Sequence, residues 1–249
     1  NRGQHRFSKE FLKELKSQIK SMAKIKLSHE EYLWIKCHIS SFKESYLEYL
    51  KNYRYDPSEV VVDLDSENNL IIDIEGKWSS SILWEVPIMA LISELYFKMI
   101  DTNWQNSFIE IREKAEEKGR RLESNYLNFS DFGTRRRRSF ETQDMVVQEL
   151  QKSKTFTGTS NVYFAKKYDL KPIGSQAHEW YQAMQALESI NHCNYYGMKN
   201  WIKVYGSEMG IALTDTVGTD MFIKNFNKKM AMIYSGERHD SVSTFFFTV

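Results

Sequence analysis

Five polar clusters between residues 131 and 241 carry the side chains that chemistry needs. The first is Asp131-Phe132-Gly133-Thr134-Arg135-Arg136-Arg137-Arg138-Ser139. Guanidinium forks match pairs of phosphate oxygens, and a helix opening beside them adds unpaired N–H groups and a favourable dipole. Gly133 permits a tight turn ahead of the arginines. The run suits a phosphate or pyrophosphate grip, although a solvated basic cap or a nucleic-acid patch is the plainer reading of such a run by itself. Gly158-Thr159-Ser160-Asn161 is polar and helix-opening, with Ser160 placed to serve as an ordinary N-cap. Gly174-Ser175-Gln176-Ala177-His178-Glu179-Trp180 sets His178 one step into a helix after a strand. An imidazole there can be a nucleophile or an acid/base. A lone histidine is more often structural, but of the six in the chain His178 has the best setting. Thr214-Asp215 and Arg238-His239-Asp240 complete the series. A carboxylate in such a place can hold Mg²⁺, ribose hydroxyls or an orienting water, and Arg238 can face an anion.

Those clusters recur at one place in the pattern. From about residue 126 the chain alternates short strand, polar loop and helix, with strands expected at 126–130, 155–157, 171–173, 210–213 and near 237–241. Strands alternating with helices imply parallel βα units, and in βα barrels the active site lies at the C-terminal ends of the strands. Each polar cluster follows a strand. Five units do not close a barrel, and the chain ends in the apolar, β-prone stretch Val242–Val249. The barrel is therefore expected to be incomplete, with an exposed edge. The N-terminal half reads differently. Phe11, Leu15, Ile19 and Met22 make one helical stripe. Ser28 and Glu31 form a capping-box pattern. Val60–Leu64 and Leu70–Ile74 predict a hairpin turning at 66–69. Pro87 opens an apolar helix through Ile88–Ile100, and a charged helix follows at about 105–123. The fold class is thus α/β, with a mixed α/β domain over 1–124 and a partial βα barrel over 125–249 carrying the active-site loops.

Composition narrows the function. Hydrophobic residues make up 41% of the 249, enough to build a core. Lys and Arg number 34 against 33 Asp and Glu, a net charge of +1, which argues against a general polyanion-coating role and against a nucleic-acid partner. Cys37 and Cys193 match no metal or redox spacing and are expected to be reduced thiols of an intracellular, cytoplasmic protein. Neither an apolar run of the ~18 residues of a membrane span nor a signal peptide is expected, and the sequence starts at Asn1 rather than Met.

Taken together, the five clusters in their order and spacing, with Ile82-Leu83-Trp84-Glu85-Val86-Pro87, resemble the nicotinate phosphoribosyltransferases over nearly the whole chain. The resemblance implies a type II phosphoribosyltransferase fold, in which a mixed α/β domain packs against an irregular α/β barrel. It implies that nicotinate and phosphoribosyl pyrophosphate are joined into nicotinate mononucleotide with release of pyrophosphate. It also implies Mg²⁺, ATP as co-substrate through a phosphohistidine, and a homodimer with a shared site. His178 would be the phosphorylated histidine, and Arg135 a phosphate binder, with Phe132, Thr134 and Asp215 among the substrate-binding residues. Arg238 would lie near the pyridine and phosphate, and Asp240 near the ribose as a catalytic group; no metal ligands are assigned. Nicotinamide-using relatives carry an aspartate where this chain has Ser160, so Ser160 favours nicotinate. The chain departs from the family in Ser175, where many relatives have threonine, and in Val242-Ser243-Thr244, where the family continues Gly-Asp-Pro. The family's early tyrosine-bearing segment and the remaining barrel strands are not among these 249 residues. The alternatives are a nicotinamide phosphoribosyltransferase and a truncated, non-catalytic chain that binds only a ligand or partner.

Overall fold

The computed structural model describes residues 6–103 and 108–240. Its contacts divide the chain into two compact units, Asn1–Ile173 and Gly174–Val249.

The first unit opens with helix α1 (Lys9–Ser21), whose N-terminus is capped by the Ser8 hydroxyl accepting from Phe11 N–H. The expected stripe is its inner face: Phe11, Leu15 and Ile19, with Met22 just beyond, are buried against Val62, Trp84, Ile88 and Leu95. Helix α2 (His29–His38) begins with the expected capping box. Glu31 N–H donates to the Ser28 hydroxyl, and Ser28 N–H donates back to the Glu31 carboxylate. Helix α3 (Glu44–Asn52) packs on α2 through Tyr32, Ile35 and Leu47, and Val162 joins that cluster. Strands β1 (Val60–Leu64) and β2 (Leu70–Ile74) form the predicted hairpin, antiparallel from Val60↔Ile74 to Leu64↔Leu70. The Asp65 carboxylate accepts the N–H groups of Glu67 and Asn69 and so closes the turn.

A short helix α4 (Trp78–Ser81) and one 3₁₀ turn lead into α5 (Glu85–Met99). Pro87 lies in the first turn of α5, where a missing N–H costs nothing. Joined end to end, Trp78–Met99 is long and apolar enough to cross a membrane by length and composition. The expectation that no run reaches that length is corrected here, because it took Ile88–Ile100 as a helix separate from the turn before it. One side of this stretch, with Trp84, Ile88 and Leu95, is buried in the protein's own core.

Helix α6 (Phe108–Ser124) ends where Tyr126 takes a left-handed conformation and Leu127 N–H closes back on Leu122 O. Strand β3 therefore begins at Phe129, later than predicted, and runs to Asp131. Helix α7 (Phe140–Leu150) packs on α6, so contacts group residues on both sides of position 124 into one unit. Strand β4 (Phe156–Thr159) pairs in parallel with β3 and feeds α8 (Val162–Tyr168). The strand expected at Lys171–Ile173 is only a parallel bridge between Thr159 and Pro172. β4 ends at Thr159, because the Asn161 N–H turns to the Thr159 hydroxyl and Asn161 caps α8, so the pairing has no second rung beyond it. Only the bonds either side of Pro172 form, Thr159 N–H to Lys171 O and Ile173 N–H to Thr159 O.

The second unit holds α9 (His178–Leu187), α10 (Cys193–Tyr205), β5 (Ile211–Leu213), α11 (Thr219–Asn225), α12 (Lys228–Ala231) and β6 (Gly236–Arg238). Strands β5 and β6 are parallel, joined through α11 and α12, and the core beneath is Tyr181, Met198, Ala212, Leu213, Phe222 and Met230. Among the described residues the strands form separate pairs and no closed barrel. The β-prone stretch Val242–Val249 lies outside the described residues.

Candidate active site

The polar clusters gather into two groups, one in each unit. In the first unit β3 delivers Asp131 opposite Thr159 of β4. Asp131 is buried, and its carboxylate accepts from Gly133 N–H at 2.9 Å, Gln143 Nε2 at 2.9 Å and Thr159 Oγ1 at 2.7 Å. The Thr134 hydroxyl accepts from Gln143 Nε2 and from Asn161 Nδ2, both at 3.0 Å. Ser160 N–H donates to Asp131 O at 2.8 Å. The loops 131–134 and 158–161 are thereby knitted into one surface.

Three sequence expectations change in detail. Gly133 has an ordinary negative φ; its glycine requirement is space, because a Cβ there would sit 2.9 Å from Asp131 Oδ1. The N-cap of α8 is Asn161, accepting from Phe164 N–H, and not Ser160. The Ser160 side chain is therefore not engaged in capping. The arginines fill a 3₁₀ turn, Thr134–Arg136, and the residues after it, ahead of α7, whose N-cap is Ser139.

Helix α5 orders that arginine run. Arg135 Nη1 donates to Glu85, Arg137 Nε donates to Glu94 at 2.7 Å, and Ser93 Oγ donates to Arg137 O at 2.8 Å. Arg137 lies over the Phe140 ring and Arg138 over the Phe97 ring. Arg135 remains about half exposed, so its pair with Glu85 leaves guanidinium surface for an anion. Phe132 presents its ring to solvent beside it in sequence. The roles of Gln143, Glu85 and Glu94 carried no sequence signal beyond the Trp84-Glu85-Val86-Pro87 resemblance, because their partners are far along the chain.

In the second unit the ends of β5 and β6 and the start of α9 converge on His178. Its Nε2 is 3.3 Å from Asp215 Oδ1, and its Nδ1 is 3.9 Å from Asp240 Oδ2. The Asp215 side chain is almost fully buried and also accepts from Asp240 N–H at 3.2 Å. Arg238 reaches Asp240 at 3.4 Å through Nη2 and donates to the Ser175 hydroxyl through Nη1. Thr214 is buried; its N–H donates to Arg238 O, and its hydroxyl meets His239 Nδ1 at 3.0 Å. The sequence-predicted residues His178, Asp215, Arg238 and Asp240 are thus brought together, and His239 joins them through Thr214. A buried carboxylate on one ring nitrogen fixes the imidazole tautomer and stabilises positive charge on the ring, leaving the other nitrogen as the nucleophilic or basic atom.

Among the described residues no group of three or more His, Cys, Asp and Glu side chains is arranged to hold a metal ion. The donors present therefore make no all-protein cage. Magnesium is commonly held by one or two carboxylates together with substrate phosphates.

Comparison with known proteins identifies the family. A sequence model described as the Nicotinate phosphoribosyltransferase (NAPRTase) family matches residues 127–245, and one described as that family's N-terminal domain matches residues 1–93. The nicotinate phosphoribosyltransferase of Methanosarcina mazei is 45% identical over 99% of this chain and 65% of its own length. That of Saccharomyces cerevisiae is 37% identical over 94% of this chain and 59% of its own length. A crystal structure of nicotinate phosphoribosyltransferase from Porphyromonas gingivalis superimposes with a TM-score of 0.93 at 35% identity, covering 98% of this chain and 63% of that one. The chain spans about 65% of the length of the most similar of these relatives. Its fold is that of those enzymes, a mixed α/β architecture with an incomplete barrel, and the chain belongs to the nicotinate phosphoribosyltransferase family.

Proposed function

We propose that the protein containing this chain joins nicotinate to phosphoribosyl pyrophosphate, forming nicotinate mononucleotide and pyrophosphate in NAD salvage, with ATP hydrolysis coupled through a phosphohistidine at His178. The placement of His178 between Asp215 and Asp240 carries this reading. In the coupling step a ring nitrogen attacks the γ-phosphorus of ATP. The N–P bond forms as the P–O bond to ADP breaks, and water later returns the phosphoryl group as phosphate. Asp215 at Nε2 directs the proton there and offsets the charge that develops on the ring. Nδ1 is beyond hydrogen-bond reach of Asp240, so its lone pair is the one available for attack. A phosphoryl group at that place adds charge and acceptor oxygens that reorder nearby loops. ATP thus acts by reshaping the site and takes no part in the glycosyl transfer.

In the glycosyl transfer the pyridine nitrogen bonds to the ribose C1, and the bond from C1 to the pyrophosphate oxygen breaks. Oxocarbenium character builds on the ribose and negative charge on the leaving group, which suits arginines and backbone N–H groups. Arg135 takes phosphate oxygens, with Thr134 and Phe132 beside it. Arg238 meets the pyridine and phosphate, Asp240 the ribose, and Asp215 orients His178 and Asp240. Magnesium would travel with the phosphates of both substrates, since the described residues supply no cage for it. Ser160 favours nicotinate over nicotinamide, because a serine removes the repulsion that a carboxylate there would exert on the substrate's own.

The finer assignments belong to the same proposal. The protein is a homodimer, works in the cytoplasm and needs neither membrane nor nucleic acid; its free cysteines, exposed Cys37 and buried Cys193, suit a reducing compartment. A division at 124/125 belongs to the same reading; it is supported by falling in the gap between the matched stretches 1–93 and 127–245, within the first compact unit. The test is nicotinate mononucleotide formation by the protein at its full natural length, with and without ATP, with nicotinamide as the competing substrate. Product from nicotinate, stimulated by ATP and no longer stimulated in His178→Ala, is expected. Full ATP stimulation in His178→Ala overturns the histidine's role, and absence of product from nicotinate overturns the activity.

A further inference from the structure

Gln176 is completely buried one residue after Ser175 and two before His178. Both ends of its carboxamide make hydrogen bonds. Oε1 accepts from the Tyr181 hydroxyl at 2.6 Å and from Leu213 N–H at 3.2 Å. Nε2 donates to the Tyr234 hydroxyl at 3.2 Å, and that hydroxyl donates onward to Met198 O at 3.1 Å. One side chain therefore ties four pieces of the unit: the loop ahead of His178, helix α9 that His178 opens, the end of β5 two residues before Asp215, and the segment entering β6.

A buried carboxamide is a costly way to fill a core, since burying a polar group is unfavourable unless every bond is made. An apolar side chain of similar size would fill the volume and hold nothing in register. The loop has few other ties. Helix α9 starts at Ala177 without a side-chain cap, and Ser175 is held through Arg238. Gly197 lets the Tyr181 ring approach so closely that a Cβ there would lie 2.6 Å from Cε1, which fixes the phenol that Gln176 grips. Burial pushes both phenols up, Tyr234 to about 12, so both remain protonated donors at working pH.

We propose that Gln176 is a positioning residue that holds the His178 imidazole against Asp215 and thereby sets the rate of phosphoryl transfer to His178. The proposal rests on the reading of His178 given above. Small displacements of a reacting group cost up to about 100-fold in rate. In the full-length protein, Gln176→Met is expected to slow phosphorylation of His178 by ATP, read by ³²P transfer, by about 10- to 100-fold with the KM for nicotinate unchanged. Gln176→Glu gives a sharper readout. A neutral carboxyl can donate to Tyr234 and accept from Tyr181 and Leu213, whereas the ionised form only accepts. Its phosphorylation rate should therefore recover toward wild type as pH falls, a dependence that the wild type lacks. Tyr234→Phe removes one hydroxyl and keeps the ring, so it tests the same link with a smaller change to the core, and it should slow the same step several-fold.

A wild-type phosphorylation rate in Gln176→Met or in Tyr234→Phe, or a Gln176→Glu profile parallel to wild type, overturns the role of Gln176. Failure of the underlying reading looks different. A wild-type protein that ATP does not phosphorylate, or one labelled equally after His178→Ala, removes the phosphohistidine itself and the Gln176 proposal with it.

Discussion

Asp131→Asn changes one oxygen to an NH₂ group and leaves the shape of the side chain intact. The retained oxygen can still accept from Gly133 N–H, as Oδ1 does at 2.9 Å. The new amide nitrogen then faces two donors, Gln143 Nε2 and Thr159 Oγ1, where Oδ2 accepted both. Gln143 cannot flip to compensate without losing Arg137 at its Oε1 and Thr134 at its Nε2. The Thr159 hydroxyl can rotate, so part of its bond is recoverable. A hydrogen bond to a charged group contributes about 1.5–3 kcal/mol, and a buried donor left unpaired costs about 1–3 kcal/mol. Asp131 is only 8% exposed, so water does not substitute. The expected loss is about 3 kcal/mol, which is roughly 6 °C in Tm at the lower end of the range for about 150–250 residues, the end that suits the longer full-length protein. Thermal unfolding of the full-length protein by circular dichroism measures it. Because Asp131 O also holds Ser160 N–H and Gln143 holds Thr134, the KM for phosphoribosyl pyrophosphate should rise in the same variant. A Tm within about 2 °C of wild type would refute the claim that this carboxylate knits the two loops, since it corresponds to less than about 1 kcal/mol.

Other expectations concern substrate choice, backbone and pH. Ser160→Asp should lower kcat/KM for nicotinate by tenfold or more, since like charges set against each other cost up to several kcal/mol; steady-state kinetics with unchanged nicotinate use would sink the argument. Gly158→Ala should destabilise the chain, because φ is +141° and a Cβ would collide with Lys171 O, and a Tm equal to wild type would contradict it. Glu31 is held below the usual carboxylate range by its bonds to Ser28. Its stabilisation is therefore present above the unfolded-state pKa of about 4.3 and is lost as pH falls through the folded value. The Tm deficit of Glu31→Gln should accordingly shrink toward zero below about pH 4, and a deficit independent of pH would show that the cap carries no charge-dependent share.

What could be read from residue order alone was mostly local. The α1 stripe, the Ser28–Glu31 capping box and the hairpin at 60–74 depend on neighbours within a few positions, and the structure has all three. The grouping of His178, Asp215, Arg238 and Asp240 was legible because a parallel βα arrangement brings strand ends together. The misses came from longer-range or finer causes. The early end of β4 at Thr159, where Asn161 caps α8, left an expected strand as a bridge. Glu85 and Glu94 bond arginines 50 and 43 positions away, which no periodicity encodes. Gly133 answers to the space beside Asp131 Oδ1 and not to its dihedral freedom. The membrane-length stretch Trp78–Met99 was hidden by reading its turn and its helix separately.

The cluster of Tyr32, Ile35 and Leu47 also includes Val162 of α8, and Lys166 of that helix pairs with Glu30 at 2.7 Å. On the ribosome, α2 and α3 are made roughly 110 residues ahead of α8, an interval of roughly 6–22 s at about 5–20 residues per second. Through that time the apolar faces of Trp34, Phe42 and Leu47 lack the partner that completes them. Completion of this cluster, unlike that of the core built from residues 11–95, therefore waits for α8, and until then α2 and α3 offer an uncovered apolar face to a holding chaperone.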